Sequence, residues 1–416
     1  MTLPTGFETI TLGPDRLPDV LEIDRWAFPT SDSLEDLLAL PSPLAWDRTR
    51  GVTLTGRPDQ LVALRSSYPF GRCPVPGGRL RVAGLTWVGV HPQWRRRGLL
   101  TAMIGEHIAH CRERAEPVSL LFAAEAGIYG RFGYGLASRQ VNLTLPRRAA
   151  LREVPGTDGL EIRIEKVSAE RHGDLIARLH GAVERPGWVT RETPELAAMW
   201  LCDAPILRPG AEDQRILIVE RDGEPVGYAL FRRKIDWAQA GPQGTVNVNE
   251  AVASDPAVAH VLWSRLLDLD LTGEITSGTL AVDDPLLSLL VDVRSGRATE
   301  KDNLWARIID LPAALAGRQY QADIEVVLDV ADALVPDNAG RWRLTASAFG
   351  PASVHRTDAD ADLALDVREL GAAYLGGTSL TELAAAGQVH ELRPGTLYPA
   401  ATAFGWPLAP LASWVF

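Results

Sequence analysis

The amino-acid sequence predicts a mixed α/β fold, of the α+β kind, divided into three consecutive domains. Residues 87–135 have the patterns of a strand, a glycine turn, an amphipathic helix and a second strand, which together make a βαβ-like unit. A similar order of patterns begins again at Leu160. The length of 416 residues is also more than one domain normally takes. The expected domains are residues 1–150, 151–303 and 304–416.

Composition and charge narrow the classes of function. Hydrophobic residues make up 46% of the chain and charged residues 23%, as in ordinary globular proteins. Lys and Arg total 42 against 53 Asp and Glu, so the net charge is −11. Because nucleic-acid phosphates need a positive surface, this balance argues against nucleic acid as the main partner. It is compatible with a small cationic substrate that acidic surface attracts.

The cysteines and the first residues indicate the compartment. Cys73, Cys111 and Cys202 lie far apart and match no metal-ligand spacing, so we expect reduced core thiols and no metal site. Residues 1–20 have neither the basic nor the apolar segment of a signal peptide. No apolar run reaches the roughly 18 residues that a membrane span needs. We therefore expect a cytoplasmic protein, although export by a signal-less route would leave no mark in the sequence.

The first domain is predicted to begin with alternating short strands and helices. The segments, in order, are a strand at Phe7–Leu12, helices at Asp15–Phe28 and Ser31–Leu40, and strands at Leu61–Ser66 and Leu80–Val90. Glycine and proline are frequent between the last two strands, and we expect a loop at Pro69–Gly78. A helix at Leu99–Arg114 and a strand at Val118–Ala123 complete the βαβ-like unit.

The turn before the helix is suited to anions. Three arginines and Gly98 precede Leu99, where the helix begins. A helix N-terminus has about four N–H groups without partners and a partial positive charge. Glycine lets a ligand approach the backbone because it has no Cβ. The pattern therefore suits a pyrophosphate. A solvated basic loop before an ordinary helix is the simpler alternative.

A tyrosine follows the second strand of this unit closely. Tyr129 opens the run Tyr-Gly-Arg-Phe-Gly-Tyr-Gly that ends at Gly135, so we expect it near the anion-binding turn. A phenol has a reference pKa of about 10 and can protonate a thiolate leaving group of similar basicity. Taken alone, the aromatic residues of this run are better explained as core packing.

Together the two motifs resemble the GCN5-related N-acetyltransferase (GNAT) superfamily. In that superfamily an R/Q-x-x-G-x-G/A turn binds the pyrophosphate of acetyl-CoA, and a later tyrosine is often the general acid. The turn here runs from Arg95 to Leu100 and ends in leucine instead of Gly or Ala. The combination of V-x-V-x-P-x-x-R-R-R-G-L-L with I-Y-G-R-F-G-Y-G is similar to the Eis family, the multi-acetylating aminoglycoside N-acetyltransferases of actinobacteria.

The resemblance implies acetyl transfer from acetyl-CoA to primary amines of aminoglycosides, other polyamines or lysine side chains, by direct attack in a ternary complex. Tyr129 would be the general acid, and the carboxylate of Phe416 the general base. The implied cofactor-binding residues are Val88, Gly89, Val90, Arg96, Arg97, Gly98, Leu99, Leu100, Thr101, Ala124 and Glu125. The residues expected to line the acceptor site are Phe28, Trp46 and Trp87, each of which is also explained as a core aromatic.

The second domain is predicted to be a degenerate copy of the first. Its patterns include a helix at Ser168–His180, a hairpin around Asp222-Gly223 and a helix at Pro256–Leu269. No arginine-glycine turn precedes the last helix, and Asp255 stands where a phosphate would bind. We expect a GNAT-like domain without cofactor, with an unrelated α/β domain as the alternative.

The third domain contains the run Asp366–Gly377, which resembles the sterol-carrier-protein-like domain that closes Eis proteins. The apolar residues 412–416 suggest a packed tail, because exposed termini usually fray. The resemblance also implies a homohexamer built as a dimer of trimers. Two other functions fit the same patterns: a lipid- or sterol-binding protein with a deep apolar cavity in residues 304–416, and an acyl-CoA sensor without turnover.

Overall fold

A computed structural model describes residues 2–239 and 241–416. They form two compact units that are each assembled from separate segments. The first unit contains the residues up to Ser138, Arg185–Leu196 and Asp302–Phe416, and the second contains Arg139–Glu184 and Ala197–Lys301. Within the described residues, no helix is long and apolar enough to cross a membrane, and no group of three or more His, Cys, Asp or Glu is placed to hold a metal ion.

Strands outnumber helices along the chain. The strands are β1 Phe7–Thr11, β2 Arg50–Leu54, β3 Arg57–Val75, β4 Gly78–Val90, β5 Val118–Leu121, β6 Gly135–Leu136, β7 Arg139–Pro146, β8 Leu160–Lys166, β9 Arg215–Arg221, β10 Glu224–Lys234, β11 Trp237–Ala238, β12 Gly241–Pro242, β13 Gly244–Ala253, β14 Thr272–Ala281, β15 Arg297–Asp302, β16 Trp305–Ile308, β17 Ile324–Ala331, β18 Gly340–Ala346, β19 Ala352–Arg356, β20 Leu363–Asp366 and β21 Val389–Glu391. The helices are α1 Leu17–Ala27, α2 Leu34–Leu38, α3 Leu99–Glu113, α4 Ala169–Gly181, α5 Pro194–Trp200, α6 Pro256–Leu267, α7 Pro285–Leu289, α8 Leu311–Ala316, α9 Val367–Ala373, α10 Leu380–Ala385 and α11 Leu397–Phe404.

The first unit is built on a seven-stranded sheet in the order β1-β2-β3-β4-β5-β16-β6. Its strands are antiparallel except for β4 and β5, which run parallel and are joined through α3. Their paired part ends at Gly84 and Leu120, whereas β4 continues to Val90. The two strands therefore part, and the edge of β4 that faces the gap is left to bind something else.

The predicted loop at Pro69–Gly78 is wrong, because β3 continues through it to Val75 and pairs with β4 almost to the turn. Phe70, Cys73 and Val75 are buried in the core, and this burial outweighs the glycine and proline content. A register shift between Phe70 and Cys73 takes up the irregularity. At this bulge the N–H groups of Gly71 and Arg72 donate to the Glu192 carboxylate, at 2.9 and 3.3 Å.

A strand that the sequence did not predict closes the first sheet. Residues 305–308 form β16, which inserts between β5 and β6. All four side chains of β16 are at least half-buried, with Arg307 completely buried. The strand has only four residues and one of them is an arginine, so its sequence lacks the apolar pattern that would predict a buried strand.

The second unit has its own seven-stranded sheet in the order β15-β7-β14-β13-β10-β9-β8. The predicted hairpin is present between β9 and β10, with φ of 53° at Asp222 and 80° at Gly223, as a primed two-residue turn requires. The helix predicted at Pro256–Leu269 is α6. The side chain of Asp255 caps its N-terminus by accepting a hydrogen bond from the N–H of Val258, at 3.0 Å. This helix end therefore already has a carboxylate of its own.

The last part of the first unit carries a separate five-stranded sheet, in the order β19-β18-β17-β20-β21. Helices α8–α11 accompany it. After α11 the chain runs to a packed tail, as predicted: Leu411, Ala412 and Trp414 are buried. The N–H of Leu411 donates to the Pro186 carbonyl at 2.9 Å, and the indole of Trp414 donates to the Val189 carbonyl at 2.8 Å.

Candidate active site

A cavity of about 520 Å³ opens in the first unit between β4, the N-terminus of α3 and the segment after β5. Eleven of the residues singled out from the sequence line it: Phe28, Val88, Val90, Arg96, Gly98, Leu99, Leu100, Thr101, Ala124, Glu125 and Tyr129. Arg95, which belongs to the arginine-glycine turn, also lines the cavity, as do four residues that sequence reasoning missed: Ala27, Trp94, Ile128 and Arg131. The structure thus brings the arginine-glycine turn and the tyrosine motif to one cavity.

The arginine-glycine turn contains two residues with positive φ. Gly98 is the N-cap of α3 and has φ of 83°, in the left-handed region that favours glycine. Arg96 also has a positive φ, of 62°. Leu100, which departs from the Gly/Ala of the superfamily turn, packs against two clusters of the core. The larger side chain is therefore accommodated on the buried side of the helix.

A bulge in β4 shapes the strand side of the cavity. Between the pairs Leu64–Gly89 and Ser66–Thr86, β3 has one residue and β4 has two. One of these two is Trp87, with φ of 54°; its indole donates to the Tyr68 hydroxyl at 2.9 Å. Val88, the other bulge residue, and Val90 line the cavity, and a Cβ on Gly89 would lie 3.2 Å from the Cβ of Ala27. Gly89 therefore allows α1 to approach the strand.

Tyr129 begins a 3-10 turn, Tyr129–Phe132, and is half-buried. Its ring meets the ring of Tyr134 edge-on, with centroids 5.9 Å apart. Burial, and secondarily the Glu125 carboxylate, raise the pKa of the Tyr129 phenol to about 12. The phenol consequently keeps its proton at neutral pH and can donate it.

Beneath this turn, a buried polar network supports the aromatic pair. The Tyr134 hydroxyl is 2.8 Å from the Ser119 hydroxyl, which is 2.8 Å from Nε2 of His107. Burial, with further contributions from nearby cations, lowers the pKa of His107 well below its usual value. The network is therefore neutral, and it holds Tyr134 in place against the Tyr129 ring.

Arg307 of β16, which is remote from the tyrosine motif in the chain, holds the motif by a hydrogen bond to its backbone. Its Nε donates to the Phe132 carbonyl at 2.9 Å, and its Nη2 donates to both carboxylate oxygens of Asp332 at 2.8 Å. A Cβ on Gly133 would lie 2.7 Å from the Nε of Arg307. Glycine at this position thus makes room for the guanidinium, in addition to supplying a φ of 80°.

Phe416 lies where β4 and β5 part, but it is not a lining residue of the cavity. Its ring is 5.0 Å from that of Phe70 and 5.2 Å from that of Phe122, centroid to centroid. A Cβ on Gly84, the last paired residue of β4, would lie 2.9 Å from the Phe416 ring. Phe122 is two residues before Ala124, which does line the cavity.

Tyr129 and Phe416 approach the gap from opposite faces of the sheet. Ala83 and Leu85 pack in the same cluster as Tyr129. Side chains alternate along a strand, so Gly84 between them faces the other side, where Phe416 lies. A linear group passing between β4 and β5 would therefore have the phenol on one side and the last residue on the other.

Four further residues singled out from the sequence lie away from the cavity lining. Trp46 and Trp87 each pack against the cluster of Leu12 and neighbouring apolar residues, so core packing accounts for both. The Arg97 guanidinium lies over the Trp94 ring, 4.9 Å from its centroid. Gly89, the fourth, faces α1.

Of the residues that sequence reasoning missed, Arg131 is the one that its position in the sequence could have indicated. It is the third residue of the tyrosine motif, and it faces the same cavity as Arg95 and Arg96. The sequence places Arg131 more than thirty residues from Arg95 and Arg96, and only the fold brings the three charges to one cavity. Trp94 and Ile128 are apolar and gave no such signal.

Family models match three parts of the chain. An acetyltransferase (GNAT) domain matches residues 8–137, a second acetyltransferase (GNAT) domain matches residues 187–308, and a sterol carrier protein domain matches residues 311–413. The expected fold class is confirmed by these matches, and the alternative of an unrelated second domain is wrong.

Relatives match over most of the chain. A protein of Streptomyces avermitilis, described as an uncharacterized N-acetyltransferase, is 41% identical over 85% of this chain and 86% of its own length. The N-acetyltransferase Eis of Mycobacterium tuberculosis is 36% identical over 86% of this chain and 88% of its own length. The crystal structure of Eis1 from Mycobacterium abscessus superimposes with a TM-score of 0.83, covering 98% of this chain and 100% of that one at 29% identity. The chain therefore belongs to the Eis-type N-acetyltransferases of the GNAT superfamily, and it is an acyltransferase with two GNAT domains and a sterol-carrier-protein domain.

Proposed function

We propose that this enzyme transfers the acetyl group of acetyl-CoA to a primary amine of a small polycationic acceptor, such as an aminoglycoside or another polyamine. The observation that carries the proposal is the meeting of the arginine-glycine turn, the unpaired edge of β4 and Tyr129 at one cavity. Lysine side chains of proteins belong to the same chemical class of acceptor.

The cavity suits the parts of acetyl-CoA in order. The N–H groups at the start of α3, from Gly98 to Thr101, would bind the pyrophosphate, and the arginines that line the cavity add positive charge. The free edge of β4 at Val88–Val90 would receive the amide groups of the pantetheine arm as an added strand does. The thioester would then reach the gap between β4 and β5. Ala124 and Glu125 would line its path.

Chemistry requires one base and one acid. The acceptor amine must lose a proton, since its solution pKa, taking lysine as the model, is about 10. The carboxylate of Phe416 would take this proton, directly or through a water, and the nitrogen would attack the thioester carbonyl. A backbone N–H at the β4 bulge would stabilise the oxyanion. The C–S bond would then break, and the Tyr129 phenol would give its proton to the departing thiolate. The new amide nitrogen would lose its extra proton, which would return to the Tyr129 phenolate through water.

The raised pKa of Tyr129 is compatible with this role. Burial disfavours an anion at this place whether it is a phenolate or a thiolate. A thiolate formed beside the phenol is therefore more basic than in water, which brings the two groups closer in basicity. No acyl-enzyme is needed, and Cys111 is unsuited to form one because burial raises the pKa of its thiol to about 12.

The test is thiol release from acetyl-CoA with kanamycin or spermidine as acceptor. Tyr129→Phe should lower kcat by about a hundredfold. Its matched control is Tyr134→Phe, which removes a phenol hydroxyl from the same aromatic pair without removing the acid. Adding one glycine after Phe416 keeps the ring and moves the carboxylate, and should lower kcat by about tenfold or more.

Three outcomes decide between the functions. Equal rates for the wild type, Tyr129→Phe and the extended chain would overturn the proposed mechanism. Tight binding of acetyl-CoA without turnover would favour the sensor. Lipid binding without any dependence on acetyl-CoA would favour the lipid-binding alternative.

Assembly and location are proposed on the same grounds. By its membership of the Eis type, we propose a homohexamer arranged as a dimer of trimers, which light scattering coupled to size exclusion would test. The cytoplasm is the proposed compartment, and the free thiols of Cys73, Cys111 and Cys202 support it.

A further inference from the structure

The tyrosine motif, residues 129–135, combines three aromatic rings with three glycines. The rings pack in one core cluster with apolar residues of α3; they belong to Tyr129, Phe132 and Tyr134. The glycines fall between the rings in the sequence; they are Gly130, Gly133 and Gly135. Because glycine has no Cβ, another element can approach the backbone closely at each of these positions. The proposed chemistry involves the rings and does not explain why glycine recurs.

Helix α9 of the sterol-carrier-protein domain packs on the glycines of the motif. A Cβ on Gly133 would lie 2.9 Å from Cγ1 of Val367, at the start of the helix. A Cβ on Gly135 would overlap the Arg368 carbonyl oxygen and lie 2.5 Å from the backbone nitrogen of Ala372. These neighbours are mostly backbone atoms, which cannot turn aside as a flexible side chain can. The helix therefore lies where it does because these positions of the motif have no side chain.

The contact is reciprocal, because α9 has a glycine of its own at the crossing. A Cβ on Gly371 would overlap the carbonyl oxygen of Ala306 in β16, and it would lie 3.6 Å from the backbone nitrogen of Gly135. Just after the helix, the Thr378 hydroxyl donates to the Leu136 carbonyl at 2.8 Å. Six of the seven residues of α9 are buried. Helix and motif are thus packed backbone against backbone, which leaves little room for either to shift.

The turn of the motif connects this contact to the phenol. The N–H of Tyr134 donates to the Tyr129 carbonyl at 3.3 Å, and the N–H of Gly133 donates to the Gly130 carbonyl at 3.0 Å. The ring of Tyr134 also meets the ring of Tyr129 edge-on. Tyr129 is therefore bonded and packed to the residues that α9 holds, so its place in the cavity depends on where α9 lies.

We propose that α9 is the positioning element for the general acid: by packing on Gly133 and Gly135, it holds the Tyr129 phenol where it can protonate the departing thiolate. This inference rests on the proposed function and gives the sterol-carrier-protein domain a part in acetyl transfer. Val367 and Gly371 are positioning residues of the helix, and neither lines the acetyl-CoA cavity. The last domain then serves both proton transfers, since the tail that follows it carries the base.

The experiment disturbs the contact in the full-length chain in two opposite ways and measures acetylation of spermidine. Val367→Ala removes two methyl groups from the contact, and Gly135→Ala adds one that α9 must move to admit. Each variant should lower kcat by about tenfold or more, since a misplacement of about 1 Å can cost about a hundredfold. KM for acetyl-CoA should change by less than about twofold, because the pyrophosphate turn is untouched.

The matched control is Val326→Ala. Val326 lies in β17 of the same domain and is 3% exposed, against 2% for Val367, so the two substitutions remove the same buried groups. Val326→Ala should keep the wild-type kcat. A wild-type kcat in Val367→Ala, or an equal loss of kcat in the two valine variants, would overturn the proposal.

A double variant separates positioning from a general loss of structure. Tyr129→Phe has no phenol hydroxyl left to position, so adding Val367→Ala to it should lower kcat by less than about twofold further. A merely structural role would lower kcat by the same factor in both backgrounds. Losses that multiply in this way would contradict the proposal.

Hydrogen exchange measures the contact without turnover. The amides of residues 129–136 should exchange faster in Val367→Ala than in Val326→Ala, whereas those of α3 should exchange alike in both. Equal exchange of the motif in the two variants would mean that α9 does not hold it. If Tyr129→Phe acetylates spermidine as fast as the wild type, the acid of the proposed function fails, and the positioning role falls with it even where exchange shows the contact. A slow Tyr129→Phe beside a wild-type kcat in Val367→Ala removes the positioning role alone.

Discussion

The side chain of Asn303 binds the backbone of Ala412 at both of its polar atoms: Nδ2 donates to the Ala412 carbonyl at 3.1 Å, and Oδ1 accepts from the Ala412 N–H at 2.9 Å. Asn303 is completely buried, and its Oδ1 also accepts from the Ser138 hydroxyl at 2.8 Å. The side-chain amide thus makes the pair of hydrogen bonds that the backbone of a neighbouring strand would make. It fixes the tail four residues before Phe416.

Replacing Asn303 with leucine should loosen the tail. The Ala412 carbonyl and N–H would lose buried partners, at a cost of about 1–3 kcal/mol for each group left unsatisfied. We expect faster proteolysis near residue 412 and a tenfold or larger loss of kcat, with acetyl-CoA affinity unchanged because the cavity lining is not touched. Wild-type kcat in the Asn303→Leu variant would show that the tail does not position a catalytic group.

Arg307 and Asp332 form a buried ion pair that holds the Tyr129 turn. Arg307→Leu should lower the free energy of unfolding by about 3–5 kcal/mol, because it leaves the Asp332 charge uncompensated. The double variant with Asp332→Asn should recover part of this loss. Arg112→Leu is the control, since it breaks an exposed pair with Asp337 and should change the free energy by less than about 1 kcal/mol. Urea denaturation of the four proteins measures these differences, and equal losses for Arg112→Leu and Arg307→Leu would contradict the prediction.

Gly98→Ala should weaken both the fold and acetyl-CoA binding. The left-handed φ of 83° costs a residue with a Cβ about 1–2 kcal/mol, although the space is open apart from Pro4 at 3.6 Å. Gly56→Ala is the control: its φ is 73°, nothing lies within 4 Å of the added Cβ, and it is far along the chain from α3. Both variants should lose similar stability, but only Gly98→Ala should raise the Kd of acetyl-CoA. Unchanged affinity in Gly98→Ala would remove the turn from the binding site.

Asp24 predicts a specific dependence of stability on pH. Its pKa is about 6 in the folded protein and about 3.9 in an unfolded chain, so the folded state binds the proton more tightly. Above pH 6 the carboxylate is charged in both states and its burial destabilises the fold; this penalty disappears as the pH falls from about 6 to 4. Asp24→Asn should therefore be more stable than the wild type above pH 7, with a difference that shrinks toward zero near pH 4. A difference that stays constant across this range, measured by thermal unfolding, would contradict the raised pKa.

Arg318 argues against a lipid cavity in the last domain. Its guanidinium is completely buried, donates to the carbonyls of Tyr374 and Phe404, and lies over the ring of Tyr320. Burial lowers the pKa of this arginine. Arg318→Leu should cost about 3 kcal/mol or more, because several buried carbonyls lose their donor. We expect no stoichiometric binding of a fluorescent fatty acid or sterol by the wild type; saturable binding would restore the lipid-binding alternative.

The parts of the site that neighbouring residues determine were predictable from the sequence. Helix α3 follows from apolar spacing, its N-terminal turn from Arg-Arg-Arg-Gly, and the hairpin of the second unit from Asp222-Gly223. Each depends on the preferences of residues that are close together in the chain. Such local preferences can be predicted from the sequence without knowledge of the fold. The two motifs that carried the family resemblance are of this kind.

Longer-range relationships followed only from the folded chain. Whether Trp87 lines a ligand site or packs against the core cluster of Leu12 depends on a bulge whose partner strand lies some twenty residues away. The extension of β3 through Pro69 and Gly71 was decided by burial of Phe70 and Val75 against residues that no local pattern names.

By itself, then, the sequence determined that this chain contains an arginine-glycine turn at the start of a helix, a nearby tyrosine and the family that combines them. Tertiary structure decided which side chains share the cavity, that Arg131 joins Arg95 and Arg96 there, and that burial raises the pKa of the Asp24 carboxyl. It also decided that Tyr129 and Phe416 meet the gap between β4 and β5 from opposite faces. The physical reason is that backbone preferences act over a few residues, whereas burial and charge depend on packing between segments that are remote in the chain.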